Sequence, residues 1–285
     1  MGGGRVGRRR PGRRHLARLT LLVLPEPYDF ELSTERFRAF GVDYANLWHE
    51  GGLLRVVGPR EVRIEPAPGG VEVEPLDDET RAVVEKLLGL EFDLPPFYAW
   101  AADDPVLGPI TRKLRGFRPP LGVTPFETLV TSITAQQVSL FSAFAIRNRM
   151  IERFGVRAEH AYAFPTRERL AAASEDELTA VGFSRRKAEY VVGLARSDVD
   201  LDALATLDDD EVRARIVAIR GLGPWTAEWF LARHLARPQA WPVGDIALRK
   251  VAVDLYGVTE HELGPRLAPF QNLSAHYLLT GARIP

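Results

Sequence analysis

The residues best placed to do chemistry lie between Ile219 and Val251, in the stretch IRGLGPWTAEWFLARHLARPQAWPVGDIALRKV. Gly221 and Gly223 are followed at once by Pro224, which favours the first turn of a helix because its missing N–H would have no partner there. Glycines permit positive φ angles and the close approach of a phosphate or a second backbone. Because free amides at a helix start bind anions, this segment predicts an anion site.

A carboxylate follows on the same stretch. Asp245 lies twenty residues after Trp225, in a Val243-Gly244-Asp245 turn that opens another helix. A fixed carboxylate can stabilise an oxocarbenium-like sugar while a glycosidic bond breaks, as in glycoside hydrolysis. The alternative role is a plain helix N-cap. The glycine-rich turn upstream favours the chemical role.

Two tryptophans lie between the turn and the aspartate. Trp225 and Trp229 are four residues apart, so they share one face of the predicted helix. Core packing is the usual role of tryptophans at this spacing. The other interpretation is a π-rich pocket, which attracts cationic ligands to the ring faces and stacks on any nucleobase.

Upstream, DDDEVRARIVAI (Asp208 to Ile219) has helical spacing with acids at its start, so the unit consists of helix, Gly-x-Gly hairpin and helix. With Asp245, this arrangement resembles the helix-hairpin-helix DNA glycosylase superfamily. Its alkylated-base branch, the 3-methyladenine DNA glycosylase II type, is the most similar. FETLVTSITAQQVS (Phe126 to Ser139) and PYDF (Pro27 to Phe30) extend the resemblance over most of the chain.

The resemblance implies a role for each of these residues. Asp245 corresponds to the catalytic carboxylate, and Trp225 and Trp229 to the aromatic residues that line the pocket for a flipped base. A further pocket tryptophan of the family falls near Leu279, where this sequence departs from the family.

The resemblance also assigns the contacts with DNA. The wedge that fills the hole left by a flipped base falls on Gln137, where the alkylated-base enzymes usually have leucine. For Gln137 and its neighbour Gln136, an ordinary exposed position at a helix end is the alternative. The phosphate-binding amides are those of Gly221, Gly223 and Thr226. A structural Na⁺ or K⁺ ion is expected on the backbone carbonyls of Val217, Ile219 and Leu222.

The chain has no lysine at the position that distinguishes bifunctional from monofunctional relatives. In the bifunctional 8-oxoguanine-type relatives, a lysine two residues after the hairpin glycines forms a Schiff base with the sugar. The corresponding residue here is Trp225. Because covalent catalysis and strand cleavage need a nucleophilic amine, the sequence predicts a monofunctional enzyme without abasic-site lyase activity.

Composition excludes several classes of protein. The chain of 285 residues has no cysteine, which rules out disulfides, thiolate-bound zinc and an iron–sulfur cluster and fits a reducing cytoplasm. No apolar run approaches the roughly 20 residues of a membrane span. The net charge is −1; six arginines in residues 1–15 contribute +6, so the remainder carries −7. Any grip on DNA must therefore be local, and the basic tail either reaches phosphates or is a disordered extension.

The coarse pattern predicts an α+β protein. Residues 1–15 form the tail, and residues 16–105 are expected to form a small domain with an antiparallel sheet. Its strands are predicted in ARLTLLVLP, NLWHEGGLLRVVG and EVRIEPAPGGVEVEPL, with turns at the glycine pairs and a helix from Ser33 to Gly41. Residues 106–285 are predicted to form an all-α helix-hairpin-helix body, with helices starting after Thr124, Thr166, Ser174 and Ser184.

The hypothesis is a DNA glycosylase of base excision repair that removes a damaged, 3-methyladenine-like purine from double-stranded DNA. The expected protein needs no cofactor, binds no membrane, acts as a monomer and works in the cytoplasm on the nucleoid. One alternative is the same scaffold excising hypoxanthine or uracil. Another is a non-catalytic helix-hairpin-helix DNA-binding protein, although such a module needs neither Asp245 nor the two tryptophans.

Overall fold

The computed structural model describes residues 20–284. The predicted basic tail and the first residues of the predicted N-terminal domain lie outside this range. Among the described residues, none of the helices combines the length and the apolar character that a membrane crossing requires.

A five-stranded antiparallel sheet begins the described chain. Its strands are β1 Thr20–Val23, β2 Asn46–His49, β3 Gly52–Val57, β4 Arg60–Ala67 and β5 Gly70–Glu74, arranged in the order β1-β5-β4-β3-β2. Alternate residues of β4 and β5 are buried, as the alternating sequence predicts. The β2–β3 turn is formed by Glu50 and Gly51, both at positive φ, while Gly52 pairs with His49 inside the ladder. The predicted turn at Gly51-Gly52 is therefore displaced by one residue.

Helices make up most of the remaining chain. Before β2 lie α1 Phe30–Thr34 and α2 Arg36–Ala39. After the sheet follow α3 Asp78–Leu87, α4 Leu94–Ala101, α5 Leu107–Lys113, α6 Pro125–Ala135, α7 Leu140–Phe154, α8 Arg167–Ala171, α9 Glu175–Ala180, α10 Arg185–Arg196, α11 Asp209–Ala218, α12 Pro224–Arg233, α13 Ile246–Val251, α14 Glu260–Arg266 and α15 Gln271–Gly281. A 3₁₀ turn covers Asp202–Thr206, and a π-helical turn, Ala252–Tyr256, continues α13.

Local side-chain chemistry determines most helix starts. Thr124, Thr166, Ser174 and Ser184 cap α6, α8, α9 and α10 through their hydroxyl oxygens, as predicted. The predicted helix from Ser33 to Gly41 is wrong in its bounds, because Asp29 accepts the amide of Leu32 and starts α1 four residues earlier. A short hairpin of β6 Val156–Arg157 and β7 Tyr162–Ala163 interrupts the predicted all-α body.

A buried ion network joins the sheet to the helices. Glu127, in the first turn of α6, accepts hydrogen bonds from Arg55 on β3 at 2.6 and 3.1 Å and from Arg147 on α7 at 2.9 Å. Arg147 also pairs with Asp43. The Glu127 carboxylate therefore does not close a capping box with Thr124, although the Glu127 amide does donate to the Thr124 hydroxyl oxygen. The network fixes α6 and α7 against the sheet.

Apolar packing divides the helices into two lobes. One cluster gathers α6 to α12, with Leu129, Ile133 and Phe230 fully buried. A second gathers α4, α5 and α13 to α15 around Phe97 and Tyr277. The sheet and α3 form a third. Because α4 packs with the C-terminal helices, the sequence before residue 105 contributes to both the sheet and the second lobe; the predicted domain boundary stays a prediction.

Candidate active site

Asp245 stands at the start of α13 and is held by four N–H groups. Its Oδ1 accepts the amides of Ala247 and Leu248 at 3.0 and 3.1 Å, which makes it the N-cap of the helix. Its Oδ2 accepts the indole Nε1–H of Trp225 at 3.1 Å and that of Trp229 at 3.0 Å. An ionised carboxylate only accepts hydrogen bonds and has room for all four. One side chain therefore both caps α13 and is held by hydrogen bonds from the two indole rings.

The two tryptophans differ in exposure and in how much of the ring face is covered. Trp225 is half-buried, whereas Trp229 is only 2% exposed. The guanidinium carbon of Arg233, one turn further along α12, lies 3.5 Å from the centroid of the Trp229 ring and covers one face. Both tryptophans line the cleft, as their shared helix face predicts. Their hydrogen bonds to Asp245 are a contact that sequence spacing alone did not show.

The hairpin between α11 and α12 has the predicted geometry. Gly223 is the N-cap of α12 and Pro224 its first residue. Gly221 has φ of +90°, and a Cβ built there would meet the ring of Tyr190 at 2.2 Å, so only glycine fits. Thr226, in the first turn of α12, is buried with 1% of the residue exposed. The hairpin brings its three predicted phosphate-binding residues together at one helix start.

The connection between α6 and α7 separates the two glutamines. The Gln136 amide group donates to the backbone carbonyl of Gly221 at 2.9 Å and so ties this loop to the hairpin. Gln137 is exposed and has φ of +56°, in the left-handed region that side chains other than glycine rarely adopt. Such strain collects at functional sites. Gln136 thus connects the loop to the hairpin, whereas Gln137 lies exposed at the rim of the cleft.

Both loops open onto a cleft of about 1280 Å³ between the lobes. Asp245, Trp225, Trp229, Gln136 and Gln137 all line it. The same lining contains three residues that sequence reasoning missed: Arg36, Arg233 and His276. Arg233 lies four residues after Trp229, and His276 lies three residues before Leu279. These helical intervals are the sequence signal that places both residues on faces shared with predicted pocket positions.

The hairpin carbonyls can be tested as a cation site. Val217 is in the last turn of α11, where carbonyls have no intrahelical partner. The carbonyl of Ile219 accepts the amide of Leu222 at 3.0 Å and keeps its second lone pair. Oxygen ligands of this kind suit hard cations, and an ion on the carbonyls of Val217, Ile219 and Leu222 stays a prediction.

Comparison with known proteins gives one consistent result. Residues 130–266 match the family described as "HhH-GPD superfamily base excision DNA repair protein". The chain is 31% identical to the DNA-3-methyladenine glycosylase of Bacillus subtilis, over 60% of this chain and 59% of that protein. It is also 31% identical to DNA-3-methyladenine glycosylase 2 of Escherichia coli, over 50% of each. The matches span about half to three fifths of the length of these relatives.

Solved structures extend the likeness to nearly the whole chain. A 3-methyladenine DNA-glycosylase from Archaeoglobus fulgidus superposes with a TM-score of 0.83 at 25% identity, over 93% of this chain and 99% of that one. An 8-oxoguanine glycosylase/lyase from Clostridium acetobutylicum in complex with DNA has a TM-score of 0.76 over 90% and 92%; at 19% identity it shares the fold alone. The predicted α+β class, a small sheet followed by a mainly helical body, is confirmed.

Proposed function

We propose that the chain is a monofunctional DNA glycosylase of the HhH-GPD superfamily of base excision DNA repair proteins, whose family model matches residues 130–266. Its substrate is a damaged purine of the 3-methyladenine class, flipped out of double-stranded DNA. The substrate class is drawn from the relatives of Bacillus subtilis and Escherichia coli, whose names give 3-methyladenine. The reaction is hydrolysis of the N-glycosidic bond.

The geometry of Asp245 carries the proposal. As the base departs, positive charge develops on the sugar, and a preorganised negative group opposite that charge lowers the barrier. Two indole and two backbone N–H groups hold the carboxylate in one orientation at the cleft. No reorganisation is then needed when the charge appears. Water that enters the cleft completes hydrolysis at the sugar carbon.

Hydrolysis without strand cleavage follows from the side chains near the hairpin. Trp225 occupies the position that would carry a Schiff-base lysine and offers only an indole N–H, which already donates to Asp245. Lys250 lines the cleft, but its amine is exposed and lies 3.8 Å from the carboxylate of Asp254. Neither provides the activated amine that covalent catalysis needs.

DNA is held at the hairpin and opened at the loop before α7. The amides of Gly221, Gly223 and Thr226 would bind one phosphate, a contact that positions the duplex without reading its sequence. Gln137 would enter the gap left by the flipped nucleotide. A monovalent cation on the carbonyls of the hairpin would be structural, because it fixes the backbone rather than touching the sugar.

The deciding experiment is Asp245→Asn. Asparagine keeps the shape and caps a helix as well as aspartate does, but it removes the charge. We expect the variant to fold and bind lesion DNA, and to excise 3-methyladenine at least about 10²-fold more slowly in single-turnover assays. Wild type should leave intact abasic strands, and borohydride should trap no covalent complex.

Asp208→Asn is the matched control. Asp208 caps α11 through the amide of Glu211 in the same way that Asp245 caps α13. The Asp208→Asn variant should excise 3-methyladenine at the wild-type rate. Equal losses in both variants would reduce Asp245 to a cap, and undiminished excision by Asp245→Asn would refute the mechanism.

A further inference from the structure

A cluster of metal-ligating side chains lies beside the sheet, apart from the cleft that contains Asp245. A carboxylate oxygen of Glu61 on β4, a carboxylate oxygen of Glu159 and a ring nitrogen of His160 all lie within 4.8 Å of one another. Glu159 and His160 belong to the connection between β6 and β7. None of these three residues lines the cleft. The cluster therefore calls for an explanation separate from the excision of a base.

A second imidazole lies next to the first. The ring centroid of His49, at the end of β2, is 4.6 Å from that of His160. The Nε2 atom of His49 is 3.9 Å from a carboxylate oxygen of Glu50. Imidazole nitrogens together with carboxylate oxygens are ligands of zinc and of other divalent first-row metals. The presence of imidazole distinguishes this cluster from an ordinary group of surface acids.

Two members of the cluster are already held at the distance that an ion requires. The Oε1 atom of Glu61 lies 3.0 Å from Nδ1 of His160, and its Oε2 accepts the amides of His160 and Ala161 at 2.8 and 2.7 Å. Adjacent ligands of one ion, each about 2.1 Å from it, are about 3.0 to 3.5 Å apart. Ala161 is fully buried in an apolar cluster with Leu54 and Val56 of β3, which anchors the turn to the sheet.

Glu159 is free to supply the third ligand. Its side chain is exposed, and within residues 20–284 its carboxylate makes no hydrogen bond or salt bridge. The side chain of Glu61 is only 15% exposed. A rotation of the Glu159 side chain alone would therefore complete a set whose other two members are fixed by the backbone.

We propose that Glu61, Glu159 and His160 bind a divalent transition-metal cation of the zinc class, with water in the remaining positions. The ion would take the Nδ1 lone pair of the neutral His160 tautomer that carries its proton on Nε2. It would join the sheet, through Glu61, to the β6–β7 hairpin of the helical body. The site would be structural, and it is independent of the proposed function.

Binding of Zn²⁺ to the full chain without an affinity tag tests the site. Titration calorimetry should show one ion per chain. At a free Zn²⁺ concentration ten times the Kd, Tm should rise by about 3 °C, because a ligand that binds only the folded state stabilises it. Mg²⁺ at the same concentration should leave Tm unchanged, since it favours sites made of oxygen ligands alone.

Glu159→Gln is the sharpest variant, because it removes a ligand that has no other contact within residues 20–284. Its Tm without metal should stay within about 1 °C of wild type. Its affinity for Zn²⁺ should fall by at least about 10-fold, the smallest loss usual for a damaged metal site. Glu152→Gln removes another exposed carboxylate, on α7, and should bind Zn²⁺ as wild type does.

The imidazole is tested by the same comparison. His160→Ala should lose Zn²⁺ affinity by at least about 10-fold, whereas His261→Ala, at an exposed histidine of α14, should keep it. Wild type that binds no Zn²⁺ overturns the site. Wild-type affinity in both Glu159→Gln and His160→Ala overturns it as well, because the ion would then bind elsewhere. An equal rise of Tm with Mg²⁺ would overturn the zinc class of the ion.

Discussion

Two pairs of arginines, of which all but Arg55 line the cleft, have opposite surroundings. Arg55 and Arg147 are buried and bind the carboxylate of Glu127, with Asp43 as a further partner of Arg147. Arg36 and Arg233 also line the cleft, and neither guanidinium group forms a salt bridge or hydrogen bond with another residue of the range 20–284. The glutamines repeat the contrast, since Gln136 is bonded to Gly221 and Gln137 to nothing described.

The contrast separates structure from function. A buried charge whose hydrogen bonds are satisfied holds two elements together, and removing one partner leaves the other uncompensated. A charge left without a partner contributes little to the fold and is available to a ligand. Substitution of a paired residue should therefore change the free energy of unfolding. Substitution of an unpaired residue should change the binding or excision of the substrate. Each prediction below compares one paired residue with an unpaired or exposed counterpart.

The largest effect is expected for Glu127→Gln. The variant leaves Arg55 and Arg147 without their shared counter-charge, so the free energy of unfolding should fall by about 3 kcal/mol at pH 7. Urea denaturation measures it. Glu79→Gln is the control, because Glu79 pairs with Arg60 at the surface with 63% of its side chain exposed. That control should cost less than about 1 kcal/mol, and a similar loss in both variants would contradict the role of the network.

The free energies of unfolding of wild type and Glu127→Gln should also depend differently on pH. Burial raises the pKa of Glu127, but the charges and hydrogen bonds of Arg55 and Arg147 outweigh it and lower the pKa overall. A lowered folded-state pKa gives stability that is present above the unfolded value, about 4.3, and is lost as the pH falls through the folded value. The stability gap between wild type and Glu127→Gln should therefore narrow below about pH 4. A constant gap from pH 7 to pH 3 would show that the carboxylate charge does not carry the effect.

Sequence reasoning predicted the parts of this site that depend on local spacing. The hairpin glycines, the place of Asp245 at a helix start and the common face of Trp225 and Trp229 all follow from short-range rules. The partners of Glu127 do not, because Arg55 lies 72 residues away and its contact depends on how the sheet packs on α6. His276 was assigned no role, since nothing in its neighbourhood shows that α15 places it beside α12. Long-range packing decides both.

The glutamines offer an intermediate effect. Gln137→Ala should slow extrusion of the damaged base by about 10-fold, equivalent to about 1.4 kcal/mol, because nothing then fills the vacated stack. Stopped-flow fluorescence of 2-aminopurine beside the lesion reports this step. The free energy of unfolding should be unchanged. Gln136→Ala should do the reverse and lose about 1 kcal/mol of stability with its bond to Gly221. Equal flipping rates in wild type and Gln137→Ala would move the wedge elsewhere.

The smallest change in stability is expected for Arg233→Met, and it tests the contrast most directly. Methionine has a similar length and keeps a favourable sulfur contact with the ring of Trp229, which offsets the lost cation–π attraction. It also removes a charge that Arg36 repels and Asp245 attracts. These terms nearly cancel, so the free energy of unfolding should change by less than about 0.5 kcal/mol. Arg147→Met is the same substitution at a paired arginine and should cost about 2 to 3 kcal/mol, because Asp43 loses its partner and Glu127 keeps only Arg55. Urea denaturation of both variants gives the comparison, and a loss at Arg233 approaching that at Arg147 would mean that the unpaired arginine belongs to the scaffold after all.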